Sequence, residues 1–258
     1  MINPKTMNTN LSLRRRLGLE IARKITNTLV EQHPLKQLFW ECTLRCNLHC
    51  RHCGSDCKKI SGYADMPKED FLRVLDNIAL HTDPHHVFVV ITGGEPPMRE
   101  DLEECGKAIH DKGFPWGMVT NGLAMTPERF TALLKAGMHT ATVSLDGFAD
   151  EHNWMRGHPQ SFDKAVRAIR MMAAIPGFVF DVVTCVNKHN YAQLNELKEF
   201  LIGIGLKQWR LFTVFPVGRA ASDAELQLSG EEFRGMLDFI KQTRKEGRIR
   251  ISYGCEGF

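Results

Sequence analysis

Short apolar runs alternate along this chain with segments whose apolar positions recur at helical spacing. The first run, QLFWECT (37–43), reads as a buried strand that leads into a loop dense in cysteine. Pro67 then opens a helix with Phe71, Leu72, Leu75, Ile78 and Ala79 on one face. HVFVVIT (86–92) is the second strand, followed by a GGEPP turn and a helix over roughly 99–111. PWGMVT (115–120) is the third, and its helix starts at Thr126-Pro127-Glu128 and stops at Gly137. TATVSLD (140–146) is the fourth, with Ser161 as the expected cap of the helix after it. FVFDVVTC (178–185) is the fifth, with a helix near 191–202 closed by Gly203. QWRLFTV (208–214) is the sixth. Ser229 and Glu232 form a capping box for a last long helix, and a short RIRISYG run (248–254) follows.

This pattern predicts an α/β fold of six βα units over residues 36–220. A basic helical extension (1–35) precedes it, and residues 221–258 hold the final helix and the start of a possible C-terminal extension. The strands are apolar throughout, as in a parallel sheet with helices on both faces. Such a series curls into a barrel or winds into an open sheet. In both, ligands sit beyond the carboxyl ends of the strands. Each unusual motif falls at such an end: the cysteine loop, GGEPP, TNG, SLDG, CVN and PVGRA, in strand order.

Composition narrows the class of function. A chain of 258 residues, 43% hydrophobic and 24% charged, has the balance of an ordinary globular protein. A net charge of +3 makes no case for nucleic acid as the main partner. No apolar run reaches the roughly 20 residues that span a bilayer. The N-terminal MINPKTMNTNLSLRRR lacks the apolar stretch of a secretory signal. Of eight cysteines, five lie between Cys42 and Cys57. That clustering suits metal binding in a reducing cytoplasm better than a disulfide framework.

Cys46, Cys50 and Cys53, in CNLHCRHC, are spaced to hold three irons of a 4Fe–4S cluster on one short loop. The fourth iron is then open to a small molecule, unlike the fully ligated cluster of a bacterial ferredoxin. A tetrahedral zinc site with Cys42 or Cys57 as fourth ligand is one alternative, and three inert buried thiols are another. In Gly93-Gly94-Glu95-Pro96 the glycines let the backbone approach a ligand closely, although the same residues alone make an ordinary tight turn. Ser144 and Asp146, in SLDG, can hydrogen-bond hydroxyl groups, or Asp146-Gly147 can be a plain turn. Arg156 suits a carboxylate partner or a solvated surface. Asn121 and Asn187 can donate to a ligand or shape Asx turns. Phe212 and Phe215 read as core, and Cys42, Cys105 and Cys185 as buried thiols. No side chain in VFPVGRA (214–220) stands out. LRRRLGLEIARKITNTLV (13–30) reads as a basic amphipathic helix that serves as a solvated lid or partner surface.

Together these motifs resemble the radical S-adenosylmethionine (radical SAM) superfamily. CNLHCRHC matches its CxxxCxxC loop, and the order of rim motifs matches as well. His52 stands where the family usually carries an aromatic residue. The resemblance implies a partial (β/α)6 TIM-like barrel with the cluster on Cys46, Cys50 and Cys53. It implies that Gly93, Gly94, Glu95 and Pro96 hold the amino group of S-adenosylmethionine, and that Ser144 meets its ribose. Asp146 is implied to face cofactor or substrate, Arg156 the cofactor's carboxylate, Asn121 and Asn187 other cofactor atoms, and 214–219 the adenine. The implied activity is reductive cleavage of S-adenosylmethionine to a 5′-deoxyadenosyl radical that abstracts hydrogen from a substrate. The reductant would be a flavodoxin or ferredoxin. SLDG and the later motifs resemble members with a C-terminal SPASM domain, which often modify peptides or mature other enzymes. The substrate expected is therefore a peptide or protein. A haem or cofactor precursor, or a non-enzymatic iron–sulfur or zinc-binding role, are the alternatives. Cys255 sits about where a SPASM extension begins, so the chain is expected to be a piece of a longer protein.

Overall fold

In the computed structural model, residues 12–254 are described, and Cys255 lies outside them. The chain divides into two compact units, residues 1–36 and 37–258. The first holds α1 (Leu13–Gln32), whose N-terminus is capped by the Ser12 side chain accepting from the Arg15 N–H. None of its residues is buried.

The second unit is a seven-stranded sheet, all parallel, with the strands in chain order. They are β1 (Gln37–Glu41), β2 (Phe88–Thr92), β3 (Trp116–Thr120), β4 (Met138–Ser144), β5 (Val179–Val186), β6 (Gln208–Thr213) and β7 (Arg250–Tyr253). The connecting helices are α2 (Lys68–Ala79), α3 (Leu102–Asp111), α4 (Pro127–Lys135), α5 (Ala149–Arg156), α6 (Ser161–Ala173), α7 (Leu194–Gly203) and α8 (Gly230–Glu246). Parallel crossovers are right-handed, so a strictly sequential order puts every helix on the same face and curls the sheet. The expectation of helices on both faces is therefore corrected. β1 and β7 do not pair, and the barrel stays open between them.

Burial along the strands shows the two faces. Val89 and Ile91 on β2, and Val182 on β5, are fully buried toward the helices. Val90 on β2, Asp181 on β5 and Arg210 on β6 line a lumen of about 590 Å³ on the concave side. Trp116 and Trp209 are the largest fully buried side chains among the described residues, and each indole N–H is satisfied, by Ala136 O at 3.2 Å and Thr184 Oγ1 at 2.9 Å. Gly106 on α3 makes room for Trp116, since a Cβ there would sit 2.2 Å from the indole ring.

Three further differences from the sequence pattern have local causes. The RIRISYG run forms β7, a seventh strand paired with β6. β4 is followed by two helices, because Ala149–Arg156 folds as α5 and ends at Gly157 with φ +67°. Ser161 is the first residue of α6 rather than its cap, and its Oγ instead contacts Nε2 of the buried His152 at 3.0 Å. The Ser229 capping box and the Thr126 cap are both present.

Candidate active site

The cysteine loop leaves the end of β1 and is fastened to the turn after β2 by backbone bonds. Gly94 N donates to Thr43 O at 2.8 Å, and Glu95 N to Arg45 O at 2.9 Å. This approach explains the glycine pair. A Cβ on Gly93 would lie 2.3 Å from Thr43 O, and one on Gly94 would lie 2.3 Å from Arg45 O. Gly93 also has φ +135°, which only glycine adopts without strain. The two motifs are thus welded into one surface.

Cys46, Cys50, His52 and Cys53 line a single cavity at the carboxyl rim with Gly93, Gly94, Glu95, Asn121, Ser144, Arg156 and Arg219. The cavity measures about 140 Å³, and Val119 lines both it and the lumen below. Cys46 and Cys50 are buried, and Cys53 is half-buried. Burial pushes the Cys46 thiol up to about 12 and raises Cys50 as well. Thiols in such surroundings stay protonated until a metal ion displaces the proton.

Glu95 is 2% exposed and held from two sides. Thr120 Oγ1 donates to its Oε1, and Asn121 N donates to its Oε2 at 2.9 Å. Burial raises its pKa to about 7, with those two donors opposing the rise. Asn121 shapes the turn by accepting from Leu123 N at 2.8 Å and ties the turn to the cysteine loop through Asn47 Oδ1, also at 2.8 Å. Pro96 is buried and opens the one-turn helix Pro96–Met98 beside the cavity.

Arg156 and Asp146 form a buried ion pair, Nε to Oδ2 at 2.6 Å. Burial pushes Asp146 up, but Arg156 together with the other groups around the carboxylate, the Cys185 N–H among them, holds it below the usual carboxylate range. Burial likewise works against the Arg156 charge, and Asp146 together with the neighbouring Cys50 and Cys185 outweighs it. Arg156 Nη1 reaches Cys50 Sγ at 3.8 Å. Asp146 does not itself line the cavity. Its Oδ1 accepts from Cys185 N at 2.9 Å, and its own N–H donates to His152 Nδ1 at 2.9 Å. Asn187 also lies outside the cavity lining, with its Oδ1 accepting from His189 N and its amide donating to Cys185 O. Ser144 faces the cavity from the end of β4.

Arg219 is a residue that sequence reasoning missed. Its Nε donates to Cys50 O at 2.7 Å and its Nη1 to Asp56 Oδ1 at 2.6 Å, while its backbone N–H donates to Cys53 O at 3.1 Å. Gly218, with φ +57°, permits this approach, since a Cβ there would meet Cys53 O at 2.5 Å. The signal in the sequence was a Gly-Arg pair after a strand, but its partners lie over 160 residues away. Phe215, read as core, is instead 60% exposed, and Cys185 is only half-buried. Cys42 and Cys105 are buried in the main core, as expected.

The residues present suit an iron–sulfur cluster with an organic ligand. The thiols of Cys46, Cys50, Cys53 and Cys57 line a cavity whose other walls are backbone, polar side chains and Val119. His52 Nδ1 is buried there with no hydrogen-bond partner among the described residues. A buried polar atom of this kind calls for a ligand.

The sequence pattern of the Radical SAM superfamily matches residues 40–201. The chain belongs to the radical SAM superfamily, enzymes that pair a 4Fe–4S cluster with S-adenosylmethionine. An AdoMet-dependent heme synthase of Nitratidesulfovibrio vulgaris is 28% identical over 230 residues, or 88% of this chain and 62% of that protein. Mycofactocin maturase MftC of Mycobacterium tuberculosis is 36% identical over 207 residues, or 79% of this chain and 51% of that protein. The chain therefore spans between half and two thirds of the length of these relatives. In fold it is similar to Streptococcus suis SuiB bound to its precursor peptide SuiA, with a TM-score of 0.71 and 17% identity over 99% of this chain and 58% of that one.

Proposed function

We propose that this chain is the core of a radical SAM enzyme that acts on a peptide or protein. The observation that carries the reading is one cavity shared by Cys46, Cys50, Cys53, the Gly93–Glu95 turn and Arg156. The three cysteines would hold three irons as thiolates and leave the fourth free for S-adenosylmethionine. Once bound there, the cluster would supply one-electron reducing chemistry to the sulfonium of that cofactor.

The remaining roles belong to the chain. Gly93 and Gly94 present backbone without a Cβ, and Glu95 gives a carboxyl group already oriented by Thr120 and Asn121. These groups suit an ammonium. Arg156 is held in place by Asp146 and keeps a guanidinium face for a carboxylate. Its charge also offsets that of the Cys50 thiolate beside it. Ser144 and His52 Nδ1 remain to meet ribose or adenine atoms. Asp146, His152 and Asn187 act by position, since their polar atoms are engaged around the ends of β4 and β5.

A peptide substrate is supported by the maturase relative and by the fold shared with a protein bound to a precursor peptide. The heme synthase relative, aligned over 88% of this chain, supports a second reading in which the substrate is a haem precursor. A flavodoxin or ferredoxin would supply the electron. All cysteines among the described residues are free thiols, which suits a reducing cytoplasm, and no described helix is long and apolar enough to cross a membrane.

Anaerobic reconstitution tests the reading. The chain should bind about four irons and, with dithionite, convert S-adenosylmethionine to 5′-deoxyadenosine. A Cys46→Ala/Cys50→Ala/Cys53→Ala variant that still makes 5′-deoxyadenosine would refute it. Candidate precursor peptides and an iron porphyrin carboxylate, compared in the same assay, separate the two substrate classes by which accelerates turnover.

A further inference from the structure

Four thiols, not three, converge at the rim. Cys57 packs in one buried cluster with Cys46, Leu48 and Cys50, and Cys53 lies against it. Cys57 lines the same cavity and is 5% exposed. Cys42 and Cys105, the other buried cysteines near β1, belong to the main core instead.

The position of Cys57 is built rather than incidental. Asp56 has φ +46°, a left-handed conformation uncommon for a residue with a side chain, and it folds the chain back on the loop. Lys58 O then accepts from Cys46 N at 2.8 Å, and Arg45 and Lys58 form a parallel bridge. Arg219 Nη1 donates to Cys57 O at 3.2 Å and also holds Asp56. These clamps fix the 53–58 turn using backbone and charge, and leave the thiol of Cys57 in the cavity. An independent observation marks that cavity as incomplete: the buried His52 Nδ1 in its wall has no partner among the described residues.

We propose that Cys57 is a displaceable fourth thiol of the cluster site, closing the open iron in the absence of S-adenosylmethionine and giving way when that cofactor binds. The inference rests on Cys46, Cys50 and Cys53 being the permanent ligands. Cys57 releases a proton when it ligates iron and regains one when the cofactor's amine and carboxylate replace it, so no electron is exchanged. The effect is to shield an iron that three cysteines alone leave open to water and chelators.

The test compares the anaerobically reconstituted 258-residue chain with its Cys57→Ala and Cys57→Ser variants. Iron content, the dithionite-reduced EPR spectrum and the rate of iron loss to EDTA are read with and without S-adenosylmethionine. All three proteins should hold about four irons. Without cofactor, the variants should show a different EPR spectrum and lose iron several-fold faster than wild type; with saturating cofactor the spectra should coincide. A cap closed in about nine tenths of resting molecules weakens apparent cofactor affinity about tenfold, so the variants should bind S-adenosylmethionine about tenfold more tightly. Identical spectra, affinities and EDTA rates overturn the proposal. So does a well-folded Cys57→Ser that takes up no iron, because the thiol would then be a permanent ligand. A wild-type chain that takes up no iron overturns the underlying cluster reading, and this inference with it.

Discussion

Glu95 and His152 are both buried, and folding shifts them in ways that give opposite pH signatures. Burial raises Glu95 from 4.5 to about 7, so the folded chain binds its proton more tightly than the unfolded chain. Its contribution is complete below pH 4.5 and is lost as the pH rises through about 7. In the metal-free chain, the stability of wild type relative to Glu95→Gln should fall by up to about 3 kcal/mol across that window, measured by urea unfolding. Burial lowers His152 from 6.5 to about 3, and its Nδ1 accepts from Asp146 N. Protonation would set two donors against each other there. The advantage of wild type over His152→Asn is therefore complete above pH 6.5 and should shrink by a few kcal/mol as the pH falls toward 3. A flat difference in either series would show that the group keeps its ordinary titration in the fold.

At the level of elements, the site depends on junctions between loops more than on any helix or strand. Gly93→Ala would force a Cβ onto Thr43 O at a φ of +135°. It should cost about 1–3 kcal/mol and lower iron uptake on reconstitution, because it separates the cysteine loop from the β2 turn. Ser229→Ala removes the capping box of α8, an element that contributes no residue to the cavity lining. It should cost about 1 kcal/mol with iron uptake unchanged. Arg219→Met should lower iron uptake while leaving the urea midpoint nearly unchanged, since Arg219 fastens the 50–57 segment rather than the core. If Ser229→Ala and Arg219→Met reduced iron uptake equally, general destabilisation would be the cause and the clamp would be redundant.

At the scale of the whole molecule, the cavity draws on the ends of β1 through β4, on α5 and on the segment after β6, so filling it should stabilise the entire sheet. S-adenosylmethionine at about 100 times its dissociation constant adds about 2.7 kcal/mol to a protein that binds it only when folded. A rise in melting temperature is therefore expected for the cluster-loaded chain. The EDTA-stripped chain should show little or none. An equal rise in both would mean that the cofactor binds without the cluster's open iron.

The strands and most helices were legible because buried parallel strands write short apolar runs into the chain and amphipathic helices write a period of 3.6 residues. Local chemistry was legible for the same reason. Cys46, Cys50 and Cys53 lie within eight residues of each other, and the Thr126 and Ser229 caps act within one turn. What the sequence could not show were relations between distant segments. Whether Ser161 caps a helix or contacts His152, whether Phe215 is inside or outside, and which cysteine besides the triad reaches the cavity are all of this kind. So is the engagement of Arg219 with a loop some 160 residues earlier. Spacing along the chain by itself determined that thiols and a glycine turn would stand at strand ends. Only the curling of seven sequential strands decided that those ends share one cavity, because right-handed crossovers bring the carboxyl ends of distant strands onto the same rim.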